Sequence, residues 1–172
     1  MAGSQDWALP DTASGARIAL IETSALWAEL AYADIRTVID AAATAVAYDI
    51  GGDRVFALAS LYEDTDSWEF ARVLTGALEE LGHPVPESSD LSISLRDVAL
   101  SAMCRRFLTG AMTAPQLAHW AAYTFWYDAE GIAGELARMD DDYEIYGDAD
   151  AAEEVTRAVR EIAARQVTRS LA

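Results

Sequence analysis

Carboxylates dominate the groups in this chain that could do chemistry, and they are densest between Asp128 and Asp150. Over that span Asp128, Glu130, Glu135, Asp140, Asp141, Asp142, Glu144, Asp148 and Asp150 face one cation, Arg138. Inside it, Asp140-Asp141-Asp142-Tyr143-Glu144-Ile145-Tyr146-Gly147 mixes carboxylates with two tyrosines. That mixture suits docking onto an arginine- or lysine-rich surface, because long-range attraction steers the encounter and the rings add short-range contact. The simpler alternative is a polar loop joining two helices. The same stretch follows part of a calcium loop, with Asp142, Glu144, Tyr146, Gly147, Asp148, Asp150 and Glu153 at positions 1, 3, 5, 6, 7, 9 and 12. Tyr146 stands where a short oxygen donor belongs, and Ala149 where a larger aliphatic residue is usual, so no metal is assigned.

Nucleophilic chemistry has little to build on. Cys104 lies among apolar residues of an expected helix and reads as a buried structural cysteine, and the only histidines are His83 and His119. A cysteine–histidine pair needs spatial contact that nothing in the spacing argues for. The chain has no glycine-rich phosphate loop, no H-E-x-x-H and no G-x-S-x-G. No catalytic residue and no cofactor are assigned. Carboxylates paired across a helical core leave no spacing signature, which keeps an enzyme or ligand carrier with a carboxylate-lined core as an alternative.

The second concentration is aromatic: Trp120, Tyr123, Phe125, Trp126 and Tyr127. Steps of three and four put Trp120, Tyr123 and Tyr127 on one helical face, expected to be core. Phe125 and Trp126 point elsewhere, either onto a second neighbouring helix or outward as a partner anchor, a role in which Trp is over-represented. The expected partner-binding set is therefore Trp126, Asp128, Asp140, Asp141, Asp142, Tyr143, Glu144, Tyr146, Asp148 and Asp150.

Helices must position these groups. Apolar residues recur at steps of three and four from Ile18 to Tyr48, and Asp34 can cap a second helix within that run, which Gly51-Gly52 should end. A short helix is expected over 54–61, and a longer one from the Asp66 cap to about Leu81, broken by Gly82-His83-Pro84-Val85-Pro86. Ser94 can open the next helix, which Gly110 stops; Thr113-Ala114-Pro115-Gln116 is a capping box for the one after. A short helix over 130–139, an acidic loop and a last helix from Ala151 to about Ser170 complete the chain. In that helix Glu153/Arg157 and Glu161/Arg165 form solvated pairs four residues apart. The fold class is all-α: one bundle of about seven to eight helices over 16–172 after a flexible N-terminus (1–15). Any division into two parts belongs in the loop 82–90.

Composition narrows the partners. The 172 residues carry 29 acidic and 12 basic side chains for a net charge of −17, and every cation is arginine. Such a chain repels phosphate backbones and anionic membranes over most of its surface, so its partners should be cationic proteins, with no direct nucleic-acid or membrane binding. A hydrophobic content of 52% lies outside the range of disordered chains. A single cysteine makes no demand for an oxidising compartment, and the stretch from Met1 to Pro10 does not read as a signal peptide, so a cytoplasmic location is expected.

Phe107-Leu108-Thr109-Gly110-Ala111-Met112-Thr113-Ala114-Pro115-Gln116-Leu117-Ala118-His119-Trp120 resembles the F-L-x-G-x-(I/M)-(S/T)-x-x-x-(F/L)-x-x-W pattern of colicin-D-type immunity proteins. The stretch Ala57–Gly82 is similar to uncharacterised small helical bacterial proteins. The first resemblance implies a helical bundle that neutralises a basic nuclease by covering its substrate channel with carboxylates. It agrees with the charge, which is an independent observation. The expected function is thus a non-catalytic acidic immunity or inhibitor protein bound to a basic toxin or nuclease, with an accessory subunit of a larger enzyme as the alternative.

Overall fold

Side-chain caps set where most of the helices begin. Thr12 accepts the Gly15 amide at 3.0 Å and opens α1 (Ala13–Ala28). Asp34 accepts both the amide and the hydroxyl of Thr37, at 2.8 and 2.7 Å, and opens α2 (Ile35–Ala47). Asp66 accepts the amides of Trp68 and Glu69, at 2.9 and 3.3 Å, and opens α4 (Ser67–Glu80). The capping box of Thr113 and Gln116 opens α6 (Ala114–Phe125), with proline in its first turn. Between α2 and α4 lies the short α3 (Asp53–Ala59), whose N-terminus is capped from a distance. The Glu80 carboxylate accepts the amides of Gly52 at 2.7 Å and Val55 at 3.1 Å. Helices α5 (Leu91–Leu108), α7 (Gly131–Ile145) and α8 (Ala149–Ser170) complete an all-α chain with no strand among the described residues.

The computed structural model describes residues 11–29, 33–85, 91–126, 128–145 and 149–170, without the side chains of 144, 145, 149–151 and 170. Residues 1–10, most of the expected flexible N-terminus, and 86–90 of the expected loop lie outside that set.

Several boundaries depart from expectation for identifiable reasons. Helix α2 stops ahead of Gly51-Gly52: Asp49 takes a left-handed φ of 56°, and the Ile50 amide closes onto the Ala45 carbonyl at 2.9 Å. Aspartate tolerates that conformation better than most side chains, so no glycine is needed. Helix α5 begins three residues before Ser94. The largest departure is in α7, which runs through the expected acidic loop to Ile145. Aspartate costs a helix about 0.7 kcal/mol per residue relative to alanine, and contacts of Asp140 with His119 and of Tyr143 with Thr156 hold this end in place.

The chain divides into two compact units, residues 1–96 and 97–172, the division falling inside α5 and after the 82–90 loop. In the first, α1 packs on α2, α2 on α3 and α3 on α4. Leu20, Leu26, Val38, Val55, Leu58, Phe70, Leu74 and Leu78 are fully buried there, and Trp27 meets the Phe70 ring edge-on at 4.7 Å. In the second, α7 packs on both α6 and α8. Tyr143 meets Thr156, and Glu135 meets Arg165, so α7 and α8 run antiparallel. Arg165 thus reaches a carboxylate on the facing helix where Glu161, one turn back, was the expected partner. Buried Gln166 of α8 donates to Ser101 of α5 at 2.9 Å, and Ser101 donates to the Asp97 carbonyl at 3.0 Å.

Candidate functional site: the outer face of α6 and the acidic end of α7

Alanine decides which face of α6 is buried. Ala114, Leu117, Ala118, Ala121 and Ala122 recur at steps of three and four and are all buried. Small side chains let helices approach closely, so this stripe is turned toward the neighbours. Trp120 lies buried at its margin, edge-on to the Phe125 ring at 5.6 Å.

The opposite face of α6 carries Gln116, His119 and Tyr123, at steps of three and four and all exposed, and Trp126, the residue that caps the helix, is exposed at its end. Tyr123 is 83% exposed and Trp126 71%. Of the expected core face of Trp120, Tyr123 and Tyr127, Trp120 is buried as expected, Tyr123 points to solvent as a correction, and Tyr127 lies outside the described residues. Bulk is a poor guide here, because four alanines take most of the buried side beside Leu117 and Trp120, which leaves Tyr123 outside.

Trp126 closes α6 in an unusual backbone conformation, φ 63° and ψ 162°. That region is essentially reserved for glycine, and a residue held there costs about 1–3 kcal/mol. The surroundings impose it. The Trp126 amide bonds the Ala122 carbonyl at 3.1 Å, and its own carbonyl accepts the Ala129 amide at 3.3 Å. The loop then passes so close to α7 that a Cβ on Gly134 would sit 1.7 Å from the Ala129 carbonyl oxygen, which only glycine permits. Asp128 and Glu130 are exposed in this loop.

The acidic end of α7 contributes from the neighbouring helix. Asp140 lies 3.3 Å from the exposed His119 ring, Oδ2 to Nδ1, which joins an expected binding residue to the α6 face. Asp141 is exposed, and Asp142 and Tyr143 are half-buried. The Tyr143 hydroxyl lies 2.9 Å from that of Thr156 on α8. Burial pushes the Tyr143 phenol above its ordinary value, with the Thr156 bond opposing. This tyrosine ties α7 to α8. Glu144 lies within α7, but its side chain, all of Tyr146 and Asp148, and the Asp150 side chain are outside the described residues. Of the expected set, Asp140 meets His119 of the α6 face, Trp126 caps the same helix, and Asp128 and Asp141 are exposed, two residues after Trp126 and one after Asp140. His119 and Tyr123 were missed. Their spacing of four, with alanines on the other side of the same helix, was the signal that could have found them.

Other chemistry is constrained by burial and helix position. Cys104 is fully buried, and burial pushes its thiol up to about 12 against a smaller opposing effect of Arg105, so the thiolate that nucleophilic attack requires is scarce at neutral pH. Burial, and then the charge of Arg17, lower His83 from its ordinary value. The calcium-loop register fails at its start, because Asp142 and Glu144, its first two ligand positions, lie within helix α7. Among the described residues no group of three or more His, Cys, Asp or Glu could hold a metal ion, and no helix is long and apolar enough to cross a membrane. No family model, curated protein or solved structure matches the chain.

Proposed function

We propose that this chain is an acidic interaction protein that docks a basic protein partner through the outer face of α6 and the acidic end of α7. Its most specific form is an immunity or inhibitor protein that covers the nucleic-acid channel of a basic nuclease or toxin. The observation that carries the reading is Trp126: a large aromatic side chain, 71% exposed, held at a backbone position suited to glycine. Tyr123 and His119 are exposed on the helix that Trp126 caps, Asp140 lies against His119, and Asp128 and Asp141 add exposed negative charge close by in the sequence. Aromatic anchors bordered by carboxylates match a partner surface of arginine and lysine, where charge sets the on-rate and the buried rings set the lifetime. The net charge of −17 favours the same class of partner.

The test is affinity capture from the source organism's lysate, followed by measurement of the captured protein's affinity and nuclease activity. The expected partner is basic, is released at high salt, and loses activity when the chain binds. Trp126→Ala should weaken binding by about 30-fold, the scale of an aromatic hot spot. Lysine at Asp140, Asp141 and Asp142 together should weaken it further and mainly slow association. A partner unaffected by both changes would exclude this face. The apolar area of Tyr123 and Trp126 also suits an accessory subunit bound permanently to an enzyme; salt-resistant association with a partner of no marked charge would favour that second reading.

A further inference from the structure

The α3–α4 hairpin exposes a second set of aromatic side chains, far along the sequence from the first and in the other unit. Phe56 on α3 is 61% exposed, Tyr62 after it 78%, and Trp68 in the first turn of α4 76%. All three lie within thirteen residues, 56–68. Their exposure is built in. Val55 and Leu58 take the buried side of α3, and Phe70, Leu74, Ala77 and Leu78 that of α4, which leaves Phe56 and Trp68 on the outer sides.

The connection between the helices is fastened at several points. The Thr65 amide donates to the Tyr62 carbonyl at 3.0 Å, and the Tyr62 amide donates to the Thr65 hydroxyl at 3.3 Å. Asp66 caps α4, and Arg36 of α2 pairs with Glu63 at 3.3 Å. A turn whose backbone is already fixed loses little backbone entropy on binding. Around it Asp64, Asp66 and Glu69 are exposed carboxylates, and segment 62–69 contains no cation of its own.

We propose that this hairpin is a docking site for an arginine-bearing segment of a protein partner. A guanidinium stacks on the face of Trp or Tyr while its fork of N–H groups bonds a carboxylate, a combination that the more strongly hydrated lysine ammonium satisfies less well. The carboxylates beside the rings repel phosphate, which disfavours nucleic acid and anionic membrane as occupants. This assignment is independent of the α6 face, since it uses other residues in the other unit.

Fluorescein-labelled octa-arginine and octa-lysine, titrated against the full chain by fluorescence polarisation, provide the test. Octa-arginine should bind about tenfold tighter than octa-lysine, and Tyr62→Ala with Trp68→Ala should remove that preference without altering the net charge. The comparison is repeated in a Tyr123→Ala, Trp126→Ala background, which lacks the α6 rings that could also stack on arginine; the Tyr62- and Trp68-dependent preference should persist there, so a failure of the α6 reading and a failure of this one are separable. In the unaltered protein, octa-arginine should shift the amide resonances of 62–69, a readout that needs no variant to fold. Equal binding of the two peptides, or no change on removing the two rings, would assign the affinity to diffuse charge and overturn the proposal. Self-association abolished by the same double variant, with peptide binding unchanged, would make the hairpin a contact between copies of this chain and overturn it equally.

Discussion

Trp126 combines two costs that rarely coincide in one residue, a backbone conformation suited to glycine and a large ring left mostly in water. Stability alone would not select it. Trp126→Gly should therefore stabilise the chain by about 1 kcal/mol, since relief of roughly 1–3 kcal/mol of strain outweighs the added flexibility of glycine in the unfolded state. Urea denaturation checks this, and a loss of stability would mean that the indole makes contacts its exposure does not suggest. Cys104 supports the opposite kind of prediction. With its thiol buried and pushed up to about 12, it should resist an aromatic disulfide reagent at pH 8 in the native state and react at once in denaturant. Rapid native labelling would show that α5 opens locally far more often than its packing implies.

At the scale of elements, two carboxylates act as caps whose benefit depends on ionisation. Hydrogen bonds from the Thr37 hydroxyl and amide lower Asp34 below its ordinary 3.8, and those from the Gly52 and Val55 amides lower Glu80 below its ordinary 4.5. A depressed carboxylate contributes stability that is complete above its ordinary value and is lost as pH falls through the lower folded-state value. Other surface carboxylates act in the opposite direction, because their protonation relieves repulsion in a chain of net charge −17. The difference between variants isolates the cap: Glu80→Gln should melt below the unaltered protein at pH 7, and the gap should close as pH drops below 4.5. A gap independent of pH would mean that Glu80 acts through packing.

The caps also mark how much of the fold was legible in the sequence. Asp34, Asp66 and the Thr113–Gln116 box place three helix starts directly, because each signal is local. The distant cap of α3 by Glu80 could not be read, since its two partners lie 25 and 28 residues away. Extension of α7 through Asp140–Asp142 was missed for a related reason. The groups that hold that end, Thr156 and His119, come from other helices, whereas local composition suggested a loop. On α6 the periodicity was visible but its phase only in part, because alanines and Leu117 form most of the buried stripe, with Trp120 buried at its margin and Tyr123 exposed.

For the whole molecule, a net charge of −17 and exposed aromatic side chains in each of the two units accord with the proposed docking role. The α6 face is the central claim, and Trp126→Gly tests it most directly because the substitution should remove the anchor while preserving or raising stability. The measurement is a side-by-side affinity capture from the source organism's lysate with the unaltered chain and with Trp126→Gly, at low and at high salt. The account predicts a basic partner that the unaltered chain retains at low salt and releases at high salt, and that the folded Trp126→Gly variant fails to retain. Equal capture of the same partner by both chains, or a partner indifferent to salt, would contradict it.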